Sequence, residues 1–138
     1  MKKIGLIIVF VNFILAPAFA QQGTDVQDAK QAAQDWLLLT DSRQYAASWE
    51  QSSSFFRAAI TAEDWEQALH RARSAFGALL AREVGSSNYA TTLPGAPDGE
   101  YVVFEFNSAF EDKAAAVETV TVMKDIDGRW RVGGYFIR

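Results

Sequence analysis

The sequence contains no cysteine, and this absence removes several classes of function at once. Without thiols the chain can form neither disulfides nor thiolate metal sites, and it cannot use cysteine as a nucleophile or a redox centre. A lipid-modified cysteine, which would tether an exported protein to a membrane, is missing as well. If the protein works in an oxidising compartment, its stability therefore has to come from packing.

Histidine is nearly as scarce, since His70 is the single one. One histidine cannot build a usual zinc site, so we expect no metal and no cofactor. Glu66 and Arg73 lie one turn away on either side, so all three are expected on the solvated face of a helix. A surface position is the simpler interpretation of His70 than a role in acid or base catalysis.

Positive charge is also in short supply. Thirteen Lys and Arg face 17 Asp and Glu, and a mature chain without Lys2 and Lys3 carries a formal charge of −6. Binding to phosphate backbones depends on clustered Lys and Arg, so nucleic acid and anionic lipid surfaces are excluded as expected partners. The remaining 118 residues, 21–138, are enough for one domain with its own core.

The first twenty residues have the three parts of a secretory signal peptide. Lys2 and Lys3 precede an apolar run over 4–15, and the small-residue triplet 18–20 ends the segment. This pattern predicts cleavage between Ala20 and Gln21 and a periplasmic or secreted product with no stable membrane anchor. A transmembrane helix is the alternative, but it needs about 20 apolar residues, and this run is interrupted. We expect residues 1–20 to form a helix with few contacts to the domain.

From Thr24 to about Ala81 the apolar spacing is helical. Thr24 and Gln27 read as a capping box that starts a first helix, which breaks near residues 41–42. A short second helix is expected over 43–51, and the three serines at 52–54 are expected to end it. Thr61 starts a third helix, whose apolar stripe is Trp65, Leu69, Ala72, Phe76 and Leu79.

From about Arg82 to the end of the chain, apolar and polar residues alternate, which predicts four antiparallel strands. A Pro- and Gly-rich loop over 93–99 and the pair Asp127-Gly128 mark turns. In the last strand, Trp130, Val132 and Phe136 are expected on the core face and Arg129, Arg131 and Tyr135 on the polar face. The pair 133–134 indicates a bulge or bend there. The fold class is α+β, with three helices on one face of a curved four-stranded meander.

Several stretches resemble the bacterial family called domain of unknown function 4019. They are residues 91–103, 117–121 and 127–136 of the strand half and 33–37, 45–49 and 55–57 of the helical half. The resemblance covers nearly the whole mature chain, and it implies no activity because the family has none assigned. The helices-then-sheet order and the final Gly-x-Trp-x-Val strand are also similar to the cup-shaped nuclear transport factor 2-like and cystatin-like folds. These folds enclose a pocket that serves some members for isomerase or dehydratase chemistry and others for binding.

Glu118 is the most unusual polar residue, because it shares a strand face with Ala116, Val120 and Val122. A carboxylate on a core face must pair with a cation or stay protonated. Three arginines are available for this pairing: Arg57, Arg82 and Arg131. Two interpretations stay open, one in which Glu118 is a pocket acid or ligand anchor and one in which it is half of a structural ion pair.

A ligand pocket between helices and sheet would be lined by aromatic walls and two charged groups: Trp49, Phe55, Arg57, Tyr89, Glu118 and Tyr135. Aromatics at these spacings are more often simply part of the core. No nucleophile elbow, phosphate-binding loop or Ser-His-acid set is present. The sequence therefore favours an exported non-catalytic domain that binds a small apolar ligand or a protein partner. The alternative is a small isomerase or dehydratase with Glu118 as general acid or base and Tyr135 or Arg57 as electrostatic partner.

Overall fold

The computed structural model describes residues 18–138, and their side chains from Gln21 onward. Four helices precede four strands. Their bounds are α1 Ala18–Asp41, α2 Tyr45–Glu50, α3 Ser54–Ala59, α4 Ala62–Ser74, β1 Leu79–Ala90, β2 Tyr101–Phe110, β3 Lys113–Lys124 and β4 Trp130–Ile137. The expected signal peptide and the helix predicted for it lie outside the described residues, apart from the helical backbone of 18–20.

Helix α1 begins earlier than the sequence pattern predicted. Thr24 lies inside the helix, so the predicted capping box at Thr24 and Gln27 is wrong. The reason is that the preceding residues 18–22 are Ala, Phe and Gln, which continue a helix, and Gly23 costs only about 1 kcal/mol within one. The predicted end at residues 41–42 is confirmed. Arg43 there takes a left-handed conformation with φ 59°, which helices commonly use to terminate.

The structure contains one helix more than the sequence predicted. The serines after α2 do end that helix, but Ser53 also caps α3, because its hydroxyl accepts a hydrogen bond from the amide of Phe56 at 3.1 Å. The same residue type therefore stops one helix and starts the next. Thr61 caps α4 as predicted, accepting from the amide of Asp64 at 3.2 Å.

The four strands form one antiparallel sheet in the order β1-β2-β3-β4, which confirms the predicted meander and the α+β class. The predicted turn at Asp127-Gly128 is confirmed as well, with Gly128 at φ 79°. Helix α1 and the shorter helices cover one face of the sheet. The buried apolar cluster lies between the two layers and comprises Ala29, Ala33, Trp36, Leu37, Phe56, Trp65, Leu69, Val102, Phe104, Phe106, Val120, Val122 and Val132.

A bulge in β4 decides which of its side chains face the core. Val122 pairs with Val132 and Thr121 pairs with Gly134, so Gly133 is the additional residue. The predicted bulge is thereby confirmed, but the faces assigned to the residues after it are wrong. Tyr135 faces the helices and packs on Trp36, whereas the side chain of Phe136 is 60% exposed. One inserted residue shifts the two-residue alternation and exchanges the faces.

Candidate functional site

Glu118 lies on the core face of β3 and has no exposed surface. Its Oε1 accepts hydrogen bonds from the Ser108 hydroxyl at 2.6 Å and from Arg82 Nε at 2.8 Å. Its Oε2 accepts from the Tyr135 hydroxyl at 2.5 Å. Four strands contribute to this arrangement, since Arg82 is on β1, Ser108 on β2 and Tyr135 on β4. The carboxylate is therefore held as a fully bonded group, in the manner that burial of a charge requires.

Arg82 connects Glu118 to a second pair of charges at the end of α1. Its NH1 and NH2 contact the two carboxylate oxygens of Asp41 at 2.7 and 3.0 Å. Asp41 also accepts from Arg73 NH2 at 2.9 Å, and Thr40 accepts from Arg73 NH1 at 3.2 Å. Glu118, Arg82, Asp41 and Arg73 form an alternating series of charges, called the buried charge network below. Its formal charges sum to zero.

The position of Arg73 corrects a prediction. It was expected on the solvated face of α4, but it is 6% exposed and its guanidinium lies 4.8 Å above the ring of Phe110. The buried stripe of α4 runs through Trp65, Leu69 and Arg73, each one turn apart. The carboxylate of Asp41 makes this burial possible, and Asp41 is far from α4 in the sequence. His70, in contrast, is exposed as predicted.

Tyr135 and Arg82, the two titratable donors to Glu118 with shifted pKa values, both retain their protons. Burial, followed by the nearby charge of Glu118, raises the pKa of Tyr135 above its ordinary value, so the phenol stays a donor. Burial alone would lower the pKa of Arg82, but its hydrogen bond to Asp41 and the charge of Glu118 raise it. A general acid or base must come within hydrogen-bond reach of its substrate. Glu118 offers no exposed surface for such contact, and the geometry is that of a structural network.

The residues predicted to line a pocket do not form one group. Glu118 and Tyr135 are bonded to each other, while Arg57 is exposed on α3. Trp49 is half-buried, and its indole donates to the carbonyl of Ile60 at 2.8 Å. Tyr89 on β1 donates to Glu100 at 3.1 Å and packs at the edge of the core. The predicted residue Phe55 lies on α3 with 38% of its side chain exposed.

The space between helices and sheet, where the pocket was expected, is occupied by aromatic rings. Trp36 and Trp65 have ring centroids 5.9 Å apart, and Tyr135 lies 5.2 Å from Trp36. Phe56 meets Trp65 edge-on at 5.0 Å. Rings at these separations are in direct contact. Of the three arginines proposed for Glu118, only Arg82 contacts it; Arg131 pairs instead with Asp127 at 2.7 Å.

An open groove of about 500 Å³ lies at the side of the molecule, between α1 and β4, with one end of α2 closing it. Its apolar lining comes from Ala32, Trp36, Leu39, Ala47, Trp130 and Val132. Its polar lining comes from Asp28, Gln31, Asp35, Gln51, Arg129 and Arg131. The volume lies within the range of small-molecule sites, about 300–1,000 Å³, but half of the lining residues are polar, a larger share than such sites usually have. We call this feature the α1–β4 groove.

The charges of the α1–β4 groove are separated by sign. Helix α1 contributes Asp28 and Asp35, which are two turns apart; Arg129, the residue before β4, and Arg131 on β4 line the other side. Arg131 is already engaged, since its hydrogen bonds to Asp127 raise its own pKa and lower that of Asp127. Among the described residues, Asp28 and Arg129 have no ion-pair partner. One wall is therefore acidic and the other basic.

Trp130 stands at the boundary between the groove and the core. Its indole Nε1 is buried and has no hydrogen-bond partner within the described part of the chain. The ammonium of Lys124 lies 5.6 Å from the centre of its ring, and Lys124 also pairs with Asp25 at 3.4 Å. Sequence reasoning assigned Trp130 to the core and missed the groove. The spacing of Asp28, Gln31 and Asp35 along one line of α1 was the only signal for it.

No group of three or more His, Cys, Asp and Glu in residues 18–138 could hold a metal ion. Over the same range, no helix combines the length and the apolar character needed to cross a membrane.

The protein is an α+β domain, in which four N-terminal helices cover an open antiparallel meander. The family model for "Protein of unknown function (DUF4019)" matches residues 32–135, and the chain belongs to this family. The match includes the buried charge network and most of the α1–β4 groove. No curated protein and no solved structure is significantly similar to the chain. The likeness to the two cup-shaped folds therefore stays a prediction.

Proposed function

We propose that this protein is an exported, non-catalytic domain that binds a small amphipathic ligand in the α1–β4 groove. The observation that carries the proposal is the groove itself, about 500 Å³ between helix and sheet with six apolar and six polar lining residues. The site expected beneath the helices is instead filled by aromatic rings. A binding role needs only the open groove, whereas the enzyme alternative needs access to Glu118, which is fully buried.

The binding part of the proposal can be tested with phenylnaphthylamine, an uncharged apolar dye that fluoresces when it leaves water. Gln31 and Gln27 are both exposed on α1, but only Gln31 lines the groove. We expect Gln31→Trp to fill the groove and abolish the fluorescence increase, while Gln27→Trp leaves it unchanged. Both variants should unfold within about 0.5 kcal/mol of the wild type, since both positions are on the surface. Equal dye binding by the two variants would contradict the proposal.

The export part rests on the basic start, apolar run and small-residue ending of residues 1–20. Expression of the full chain in a bacterium, followed by fractionation and intact mass measurement, should recover a periplasmic or secreted product that starts at Gln21. Ala20→Arg should leave the leader attached, because the cleavage site requires a small residue there. Recovery of the uncleaved wild type in the cytoplasm would overturn this part alone.

A further inference from the structure

We propose that the ligand of the α1–β4 groove is a short zwitterionic peptide of two or three residues with free ends. This inference rests on the proposed function and adds the chemical class of the ligand. Its ammonium would lie against Asp28 and Asp35 on α1, and its carboxylate would lie against Arg129, the residue before β4. The groove thus selects a molecule whose two charges are at opposite ends.

The charged residues of the groove are divided by sign between its two walls. A groove that selected an anion would place cations on both sides, and one that selected a cation would place carboxylates on both sides. Here the acidic residues come from α1 and the basic residues from β4 and the residue before it. Within residues 18–138, neither Asp28 nor Arg129 has an ion-pair partner. Each can therefore form a charge-assisted hydrogen bond with a ligand.

The volume of the groove agrees with a short peptide. Two or three extended residues span about 7–10 Å. The groove of about 500 Å³ leaves space for such a backbone with side chains of moderate size.

The remaining lining residues match the middle of a peptide. The amide of Gln51 can donate to and accept from a peptide bond, whereas Gln31 Nε2 already donates to Asp35 Oδ1 at 2.8 Å. Leu39, Ala47 and the ring of Trp130 offer apolar surface to a side chain. A simple fatty acid would leave the carboxylates of α1 unmatched.

The test compares three peptides by isothermal titration calorimetry on the full chain: leucyl-leucine, its N-acetyl derivative and its C-terminal amide. We expect the free dipeptide to bind about tenfold more tightly than either blocked form, because each block removes one charged contact. Asp28→Asn should remove the preference for the free amine and keep the preference for the free carboxylate. Arg129→Gln should do the reverse. Asp64→Asn, at an exposed position on α4, should change neither preference.

The outcomes separate this inference from the proposed function. If phenylnaphthylamine binds and Gln31→Trp blocks it while the three peptides bind equally or fail to bind, the groove is a ligand site and the peptide inference is overturned. If neither dye nor dipeptide binds, both proposals are wrong. Selective loss of one preference in each charge variant would support the assignment of both walls.

Discussion

The buried charge network and the α1–β4 groove are built from the same residue types and differ in what those residues face. In the network, Glu118 and Asp41 contact Arg82 directly, at 2.7 Å in each case. In the groove, Asp28 and Arg129 line opposite walls and are both exposed. Charges that satisfy each other within the fold fix its geometry, whereas charges left unpaired around a cavity are available to a ligand. The residue type alone does not separate the two cases.

The network also explains how a four-stranded sheet without disulfides is joined to its longest helix. Asp41 is at the last turn of α1, and Arg82 and Glu118 are on β1 and β3. A second connection lies at the opposite end of the sheet, where Asp125 accepts from the amide and the hydroxyl of Ser54 at 2.9 and 2.5 Å. Burial alone would raise the pKa of Asp125, but these hydrogen bonds lower it. Both ends of the helical layer are thus held by buried carboxylates.

The largest effect is expected for Glu118→Gln. This change leaves Arg82 and Tyr135 facing a neutral group in a fully buried position, and removal of one member of a buried ion pair costs about 3 kcal/mol. Urea denaturation should show a lower midpoint with an unchanged slope. Glu105→Gln is the matched control, because Glu105 pairs with Arg138 at the surface at 3.4 Å, and the loss should stay below about 0.5 kcal/mol. Equal losses for the two variants would contradict the structural role of Glu118.

Tyr135→Phe should cost about 2 kcal/mol at neutral pH, because Glu118 loses a donor. The pKa of Tyr135 is raised in the folded state, so its contribution to stability is complete below the unfolded value of about 10 and falls as the pH rises above it. The difference between wild type and variant should therefore shrink between pH 10 and 11. The pKa values of Tyr89 and Tyr101 are raised as well, so a residual alkaline slope remains in the variant. If the difference in the free energy of unfolding between wild type and variant stays constant from pH 10 to pH 11, the assignment is contradicted.

A smaller effect is expected at the bulge in β4. On one side of the bulge Val132 lines the groove, and on the other side Tyr135 donates to Glu118 of the network. A Cβ on Gly133 would lie 2.9 Å from Sδ of the buried Met123, so Gly133→Ala should cost about 1.5 kcal/mol. At Gly134 the nearest atom, Cβ of Thr121, would lie at an ordinary 3.6 Å. Gly134→Ala should therefore change the free energy of unfolding by less than about 0.5 kcal/mol. Thermal unfolding of the pair measures the difference.

The sequence was sufficient to predict the class of the fold, the strand order and the conflict at Glu118. Alternation over β3 placed this carboxylate among valines, and burial then required a cation, which the structure identifies as Arg82. The positions of Tyr135 and Arg73 could not be predicted in the same way. The first depends on a bulge that reverses the alternation, and the second depends on Asp41, which only the folded chain brings near α4. Local periodicity carries neither fact.

The α1–β4 groove was beyond prediction for a related reason. Its walls come from the polar flank of α1 and from an edge strand, and each taken alone reads as an ordinary solvated face. The space between them depends on how far the helix stands from the strand, which side chains such as Trp36 and Trp130 set. A binding groove depends on the distance between elements, whereas the burial of Glu118 can be inferred from the alternation within a single strand.

The smallest effect on stability is expected for Trp130→Phe, and it gives the most direct comparison of the two regions. Because the indole N–H of Trp130 has no partner, its removal should change the free energy of unfolding by no more than about 1 kcal/mol. Trp36→Phe is the matched control. That indole donates to the carbonyl of Ser48 at 2.8 Å and to the hydroxyl of Ser52 at 3.0 Å, so the same substitution should cost about 2–3 kcal/mol. Leucyl-leucine affinity should nevertheless fall about twofold in Trp130→Phe, since the smaller ring offers the ligand less apolar surface. A large loss of stability with unchanged affinity would assign Trp130 to the core alone.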